Sequence, residues 1–293
     1  MFRFVDMDCT VSIVIPTYNR RHTLVKVIDS YLCQKYVKEI IFVNDGSTDD
    51  TCEYLKGLQN KISDPVIRVE THSQKLGASR ARNTGIKAAS GDFIMIGEDD
   101  VILSEDYVFT LLNCLDETGA DIIAGRILYS QDGETFDDTI NRCNTYKRNV
   151  INYWAMSVLH SIPFSHHMEA PFSHALGLGR AEIYKKILFN PDFITREETD
   201  FYIRAGKAGA KLILCPHSLC FHLPQDKIKG GGWSIGAYKY QYIVIRNNNM
   251  LINRHYDYMK KWGMKGNKFT FKLLHLLNRL RMLYKYYRFS TRH

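Results

Sequence analysis

The chain has 293 residues, 45% hydrophobic and 24% charged, which is the composition of a folded globular protein with room for one large domain and an appendage, and excludes a disordered or fibrous chain. Its formal net charge of +8 is uneven: after Asp257 there is no acid, while Lys260 to Arg292 holds ten Lys or Arg, and removing those ten from +8 leaves −2. A nearly neutral body with a basic tail argues against nucleic-acid binding by the body and predicts a tail that meets an anionic surface.

Met1 to Thr10 contains Asp6 and Asp8 and leads straight into an apolar run, so no signal peptide is predicted. Val11 to Ile15 reads as a buried strand, ended by Pro16-Thr17-Tyr18-Asn19-Arg20. Thr23 to Cys33 has helical spacing, with Leu24, Val27, Ile28, Tyr31 and Leu32 on one side. Glu39 to Asn44 is a second strand, running into the turn Asp45 to Asp50, which caps a helix over Thr51 to Leu58. A third strand, Val66 to Glu70, precedes a helix of small residues, Gly77 to Ala89, that carries Arg80, Arg82 and Asn83.

Gly91 and Gly97 bound a fourth strand, Phe93 to Ile96, which feeds directly into Glu98, Asp99 and Asp100. Three adjacent carboxylates repel one another and resist desolvation, so they need a cation or open water. Hard oxygen donors at a strand end suit Mg²⁺ or Mn²⁺; a solvated acidic turn is the alternative. Strand–helix alternation predicts a parallel α/β sheet with its chemistry at the carboxyl ends of the strands. Pro16, Asp45 and the acids at 98–100 all fall at such ends, so three polar clusters are expected on one edge.

Asp121 to Leu128 reads as a strand, Gln131 to Val150 is polar without clear period, and Tyr153 to Ser165 is mixed. Helices are predicted over Arg180 to Leu188 and Phe201 to Ala208, the second opened by Arg196-Glu197-Glu198-Thr199-Asp200. Ala210 to Cys215 and Cys220 to His222 are strand candidates, and Gly230 to Trp233 is a flexible loop. The seven cysteines, an odd count without a Cys-x-x-Cys pair, predict reduced thiols in a cytoplasmic protein. His166, His167, His174 and Glu169 are acceptor contacts or scattered surface groups; His166, His167 and Glu169 also spell a zinc pattern of low specificity.

Taken in order, Val11-Ser-Ile-Val-Ile-Pro-Thr-Tyr-Asn-Arg20, Val43-Asn-Asp-Gly-Ser-Thr-Asp49, Gly77-Ala-Ser-Arg-Ala-Arg-Asn-Thr-Gly-Ile86, Gly91-Asp92-Phe93 with Glu98-Asp99-Asp100, Glu197 to Asp200 and His222 resemble the family-2 glycosyltransferases. The resemblance covers roughly residues 11 to 222. It implies a GT-A fold: a Rossmann-like, mostly parallel sheet flanked by helices, here over residues 1–225 with an acceptor-facing part at 125–195, followed by a helical extension over 226–293. It implies an inverting transfer from a nucleotide-diphosphate sugar, UDP by family habit, to a glycan or lipid-linked acceptor. Thr17, Tyr18, Arg20 and Asp45 would line the base and ribose pocket, joined by Gly77 and Asp99, with Arg80 or Arg82 neutralising diphosphate. Asp100 and His222 would hold Mn²⁺ or Mg²⁺, with His217 the competitor of His222. Glu98 replaces the family's usual first Asp and is one methylene longer. Glu198 stands where the family's catalytic Asp stands and is the expected base, with Asp200 and then Glu197 as alternatives. The Gly-rich loop of sugar nucleotidyltransferases is absent after the first strand; a non-catalytic nucleotide-sugar or glycan binder is the remaining competitor.

In the tail, Leu273, Leu276, Leu277, Leu280, Leu283, Tyr284 and Tyr287 recur at helical spacing, with Lys272, His275, Arg279, Lys285 and Arg288 mainly opposite. That is the pattern of a basic helix lying in a membrane interface, which would make the protein peripheral on the inner face of the membrane; packing on the domain or a homodimer contact is the alternative.

Overall fold

The computed structural model describes residues 9–173, 176–224 and 237–290, so His174 and the Gly230–Trp233 loop lie outside the described residues. The apolar run at the start forms β1 (Val11–Thr17), followed by α1 (Arg21–Leu32), β2 (Val37–Asn44), α2 (Thr51–Lys61), β3 (Val66–Thr71), α3 (Ala78–Ala88) and β4 (Phe93–Ile96). Every element expected in this half is present. Next come β5 (Val101–Leu103), α4 (Tyr107–Thr118), β6 (Ile122–Tyr129), α5 (Phe136–Asn144) and the two-residue strands β7 (Ile151–Asn152), β8 (Ser157–Val158) and β9 (Met168–Glu169). The chain continues through β10 (Gly177–Arg180), α6 (Ala181–Ile187), α7 (Glu197–Lys207), β11 (Leu212–His222), α8 (Ala237–Lys261) and α9 (Lys268–Ser290).

Three features depart from the sequence reading. Helix α4 buries Val108, Leu111, Leu112 and Leu115, a helical spacing that follows the acidic cluster without a strong start signal. Helix α5 lies in the polar stretch and starts on a capping box, in which Thr135 and Asp138 satisfy each other's backbone N–H. The two strand candidates after α7 form one strand, β11, whose register on β6 shifts between Leu214 and Leu219; that irregularity accommodates Pro216.

The sheet runs β3-β2-β1-β4-β10-β6-β11-β5, with β9 also on β11. The pairs β3–β2, β2–β1, β1–β4 and β6–β11 are parallel, while β10, β5 and β9 run antiparallel to their neighbours. Side chains alternate between two cores. Val14, Ile41, Ile94, Ala124 and Leu214 face one shared with α3, α6, α7 and α8; Ile13, Ile40, Met95, Ile123 and Ile213 face another shared with α1 and α4. All these strand residues are buried, each contributing about 1.5–3 kcal/mol where a full Val, Leu, Ile or Met side chain is removed from water. Gly85 lets α3 sit directly on β1, since a Cβ there would lie 2.3 Å from Val14 Cγ1.

The C-terminal helices join this body. Leu251, Ile252, Met259, Met264 and Phe271 belong to the first core, and Phe271 stacks on Trp154 with ring centroids 4.5 Å apart. On α9, His275 and Arg279 turn inward, toward Asn248 and Gln241 of α8. Leu273, Leu276, Leu277 and Leu280 are exposed, as is Tyr284. The expected basic solvent side therefore partly faces the protein, and the leucine side faces out. The side chains of Leu283, Lys285, Tyr287 and Arg288 lie outside the described residues. Cys114 of α4 and Cys215 of β11 are joined as a disulfide, against the expectation of reduced thiols throughout. They are 101 residues apart in the chain, so only the fold brings them together.

Candidate active site

The carboxyl ends of β1, β2 and β4 converge, as the alternation predicts, on a cleft of about 340 Å³. Thr17, Tyr18, Arg20, Asp45, Gly77, Glu98, Asp99, Asp100, Glu197 and His222 line it, with Lys75 and Arg82. Arg80 does not: it is exposed on the outer face of α3, and Arg82, two residues on, is the buried one.

One end is organised by Asp45. Its carboxylate accepts from Leu76 N at 2.8 Å and Gly77 N at 2.8 Å, and His72 Nδ1 lies 2.8 Å away. Three partners occupy most of the roughly four acceptor positions of a carboxylate, so Asp45 anchors the loop before α3 more than it waits for a ligand. Gly46 has φ +73°, and a Cβ there would strike the Gln74 backbone at 2.5 Å, so the turn requires glycine. Asn19 Oδ1 accepts from Thr48 N at 2.8 Å, tying the loop after β1 to this turn. Lys75 Nζ sits 3.9 Å from the centre of the Tyr18 ring, which steadies an aromatic wall at the mouth. Nothing in the sequence pattern signals Lys75; its place depends on the loop that Asp45 holds.

At the other end Glu98, Asp100 and His222 offer ligand atoms that all lie within 4.8 Å of one another. His222 Nε2 is 3.7 Å from Asp100 Oδ1, while its Nδ1 is 2.8 Å from the Leu223 carbonyl, which fixes the ring so that Nε2 faces the acids. His217, the competitor, is exposed and not among the cleft residues. Two carboxylates and an imidazole fit a divalent cation. Arg20 Nη1 donates to Asp100 Oδ2 at 2.9 Å and lies 3.6 Å from Asp99, so Arg20 acts as counter-ion to the acids. Burial and then the charge of Asp100 push the carboxyls of Glu98 and Asp99 well above their ordinary range. Tyr31 of α1 clamps the turn, donating to the Glu98 carbonyl at 2.9 Å.

Between the two ends stands Arg82. Its Nη1 donates to Glu197 Oε1 at 2.6 Å and its Nη2 to Glu198 Oε1 at 2.9 Å, with Glu98 3.9 Å away. Burial opposes its charge, but Glu198, Glu197 and Glu98 outweigh that and hold it raised. Glu197 is buried, and burial followed by the Glu198 charge pushes its carboxyl up to about 8. Asp200 lies outside the cleft: fully buried, it accepts from Arg204 Nε at 2.7 Å and from His255 Nε2 at 2.8 Å. One helical turn therefore splits these acids: Glu197 lines the cleft, Glu198 is not among its lining residues and reaches it through the bond to Arg82, and Asp200 belongs to the core. Arg82 and His255 are partners that residue spacing does not reveal, since 115 residues separate Arg82 from Glu197.

The sequence model of glycosyl transferase family 2 matches residues 12–168. Glycosyltransferase GlyG of Streptococcus pneumoniae serotype 4 is 37% identical over 120 residues, 41% of this chain and 39% of GlyG. The match to GlyA of the same organism spans 17% of that protein, so the chain aligns with well under two thirds of either. A Methanococcus voltae enzyme named as a dolichyl N-acetyl-alpha-D-glucosaminyl phosphate 3-beta-D-2,3-diacetamido-2,3-dideoxy-beta-D-glucuronosyltransferase is 27% identical over 75% of this chain and 68% of its own. Among solved structures, S. aureus TarS 1–349 with UDP-GlcNAc superposes with TM-score 0.59 at 15% identity, covering 92% of this chain and 72% of that one. GalNAc-T7 with UDP, GalNAc and Mn²⁺ gives 0.62 at 16%, covering 86% and 51%. At such identities the likeness shows the fold, and it is the GT-A fold expected from the motifs.

Proposed function

The chain belongs to glycosyl transferase family 2, and on that premise we propose that it moves a sugar from a nucleotide-diphosphate sugar to a hydroxyl of a glycan or lipid-linked acceptor, inverting the anomeric centre. The observation that carries this reading is one cleft in which the Tyr18–Asp45 end, the Glu98–Asp100–His222 cluster and the Arg82–Glu197 pair meet, with Glu198 bonded to Arg82 beside it. The UDP ligands of TarS and GalNAc-T7 support a UDP-sugar as donor. Tyr18 and Thr17 would flank the base, with Gly77 and Asp99 near ribose and phosphate. Asp100 and His222, with Glu98, would hold Mn²⁺ or Mg²⁺, whose charge favours departure of the diphosphate. Glu198 would take the acceptor's proton, and Arg82 holds its carboxylate in place. A second cavity of about 750 Å³, lined by Tyr129, Tyr146, Lys147, Arg148 and His160, is the proposed acceptor side; the Tyr129 ring lies 5.1 Å from that of His222.

A thermal-shift screen of nucleotide sugars with Mn²⁺ tests the donor site, because a ligand that binds only the folded state raises Tm. A UDP-sugar is expected to raise Tm only with metal present, and Asp100→Ala is expected to erase that dependence. An Asp100→Ala protein that still binds UDP with the same Mn²⁺ requirement would refute the metal assignment. Metal-dependent binding without turnover or slow donor hydrolysis would instead leave a non-catalytic binder.

None of the described helices is long and apolar enough to cross a membrane. The outward leucines of α9, on a tail rich in Lys and Arg, support attachment to an anionic membrane surface, where a lipid-linked acceptor would reside. Truncation at Asp257 would remove Met259, Met264 and Phe271 from the core, so point changes are the cleaner test. Leu277→Glu with Leu280→Glu is expected to abolish sedimentation with anionic liposomes at low salt while leaving Tm unchanged. Full-length protein that never sediments with such liposomes would exclude the membrane; a dimer broken by the same changes would assign the face to a second copy.

A further inference from the structure

Away from the cleft, Cys114 on α4, Cys215 on β11 and His167, which immediately precedes β9, bring two sulfurs and one ring nitrogen within 4.8 Å of one another. The sequence pairs His167 with His166 and Glu169; the fold instead delivers it to two cysteines from other elements. Both cysteines are buried, and neither lines the cleft. His167 Nε2 lies 3.5 Å from Glu117 Oε2, while its Nδ1 is buried with no hydrogen-bond partner. A buried polar atom left unpaired is costly, so this nitrogen calls for a ligand. A metal-binding imidazole commonly has its other nitrogen oriented by a carboxylate, the place Glu117 takes beside His167. Two thiolates and an imidazole favour a soft or borderline cation, chiefly zinc, in contrast to the oxygen-rich cluster of the cleft.

We propose that Cys114, Cys215 and His167, with the cysteine pair in its dithiol state, bind one structural zinc ion that ties α4 and β11 to the segment leading into β9. His217, whose ring stands edge-on with its centroid 6.1 Å from that of His167, is the donor for the fourth position. The disulfide and the zinc site are two states of the same sulfurs. A thiol reductant gives two electrons and two protons to the Cys114–Cys215 bond, yielding two Cys thiols and its own disulfide. Zinc then takes both sulfurs as thiolates, and the two thiol protons pass to solvent.

The full chain is reduced with excess thiol, desalted under argon and titrated with Co²⁺ as a spectroscopic stand-in for zinc. One equivalent is expected to raise a thiolate-to-cobalt charge-transfer band, and one equivalent of Zn²⁺ to remove it. No residue lining the cleft carries sulfur, so the band should persist in Asp100→Ala; because Cys9, Cys33, Cys52, Cys143 and Cys220 are also thiols, its loss in Cys215→Ser is what ties it to this site. Cys215→Ser should lose the band. His167→Ala, at a partly exposed position, should fold by circular dichroism and bind cobalt at least tenfold more weakly. Absence of the band in reduced wild-type protein, its survival in Cys215→Ser, or unchanged affinity in folded His167→Ala would each overturn the proposal.

Discussion

Glu198→Gln is expected to bind the nucleotide sugar as the parent does and to transfer it about 10² to 10⁴ times more slowly, the usual scale for losing a general base. The amide keeps the length of the side chain and an oxygen that can still accept from Arg82, which now reaches Glu198 Oε1 at 2.9 Å. Glu197 keeps its own bond to Arg82 at 2.6 Å, so the guanidinium stays compensated and the cleft keeps its shape. What the change removes is the proton acceptor. Initial transfer rates at saturating donor, set beside donor affinity from thermal shift, separate the two effects. A rate near that of the parent would dismiss Glu198 as base and move the role to Glu197, whose raised carboxyl lines the same cleft.

Asp200→Ala, by contrast, is expected to fail as a folded protein before it fails as an enzyme, losing about 3–5 kcal/mol of stability. Both of its oxygens are committed, one to His255 of α8 and one to Arg204, in a site with no solvent exposure. Its removal leaves buried His255 and half-buried Arg204 without their acceptor and loosens α8 from α7. Burial works against the ionised form, yet the His255 hydrogen bond and the Arg204 charge outweigh it, so the carboxyl is held below its usual range. A depressed folded value means the stabilisation is present above the unfolded value of about 3.9 and is lost as pH falls through the lower folded one. The stability gap between parent and Asp200→Ala should therefore be constant near neutral pH and close below about pH 4. Equal urea midpoints for the two proteins at pH 7 would remove Asp200 from the framework.

The residue order alone determined a good deal here. Apolar runs of four or five residues ending in Pro16, Asp45 and Glu98 specify strands whose polar ends share one edge, because parallel strands all point the same way. Asp45 and Asp100 were legible as cleft residues for that reason, while Thr17, Tyr18, Gly77 and His222, marked only by the motif resemblance, line the same cleft. The tertiary structure decided what depends on approach between distant segments. Arg80 and Arg82 lie two residues apart on one helix, and only the seating of α3 on β1 through Gly85 turns Arg82 into the cleft and leaves Arg80 in water. Glu198 and Asp200 likewise sit two residues apart at the start of one helix, and the arrival of His255 on α8 commits Asp200 to the core while Glu198 turns to Arg82. Helical spacing marked two sides on α9 without saying which faces in. Both sides carry groups able to pack or to hydrogen-bond, and Asn248 and Gln241 on α8 draw His275 and Arg279 inward, leaving the leucines outside. Local pattern fixes a side chain's direction along its own element; its partner is set by the packing of elements tens of residues apart, which no local spacing encodes.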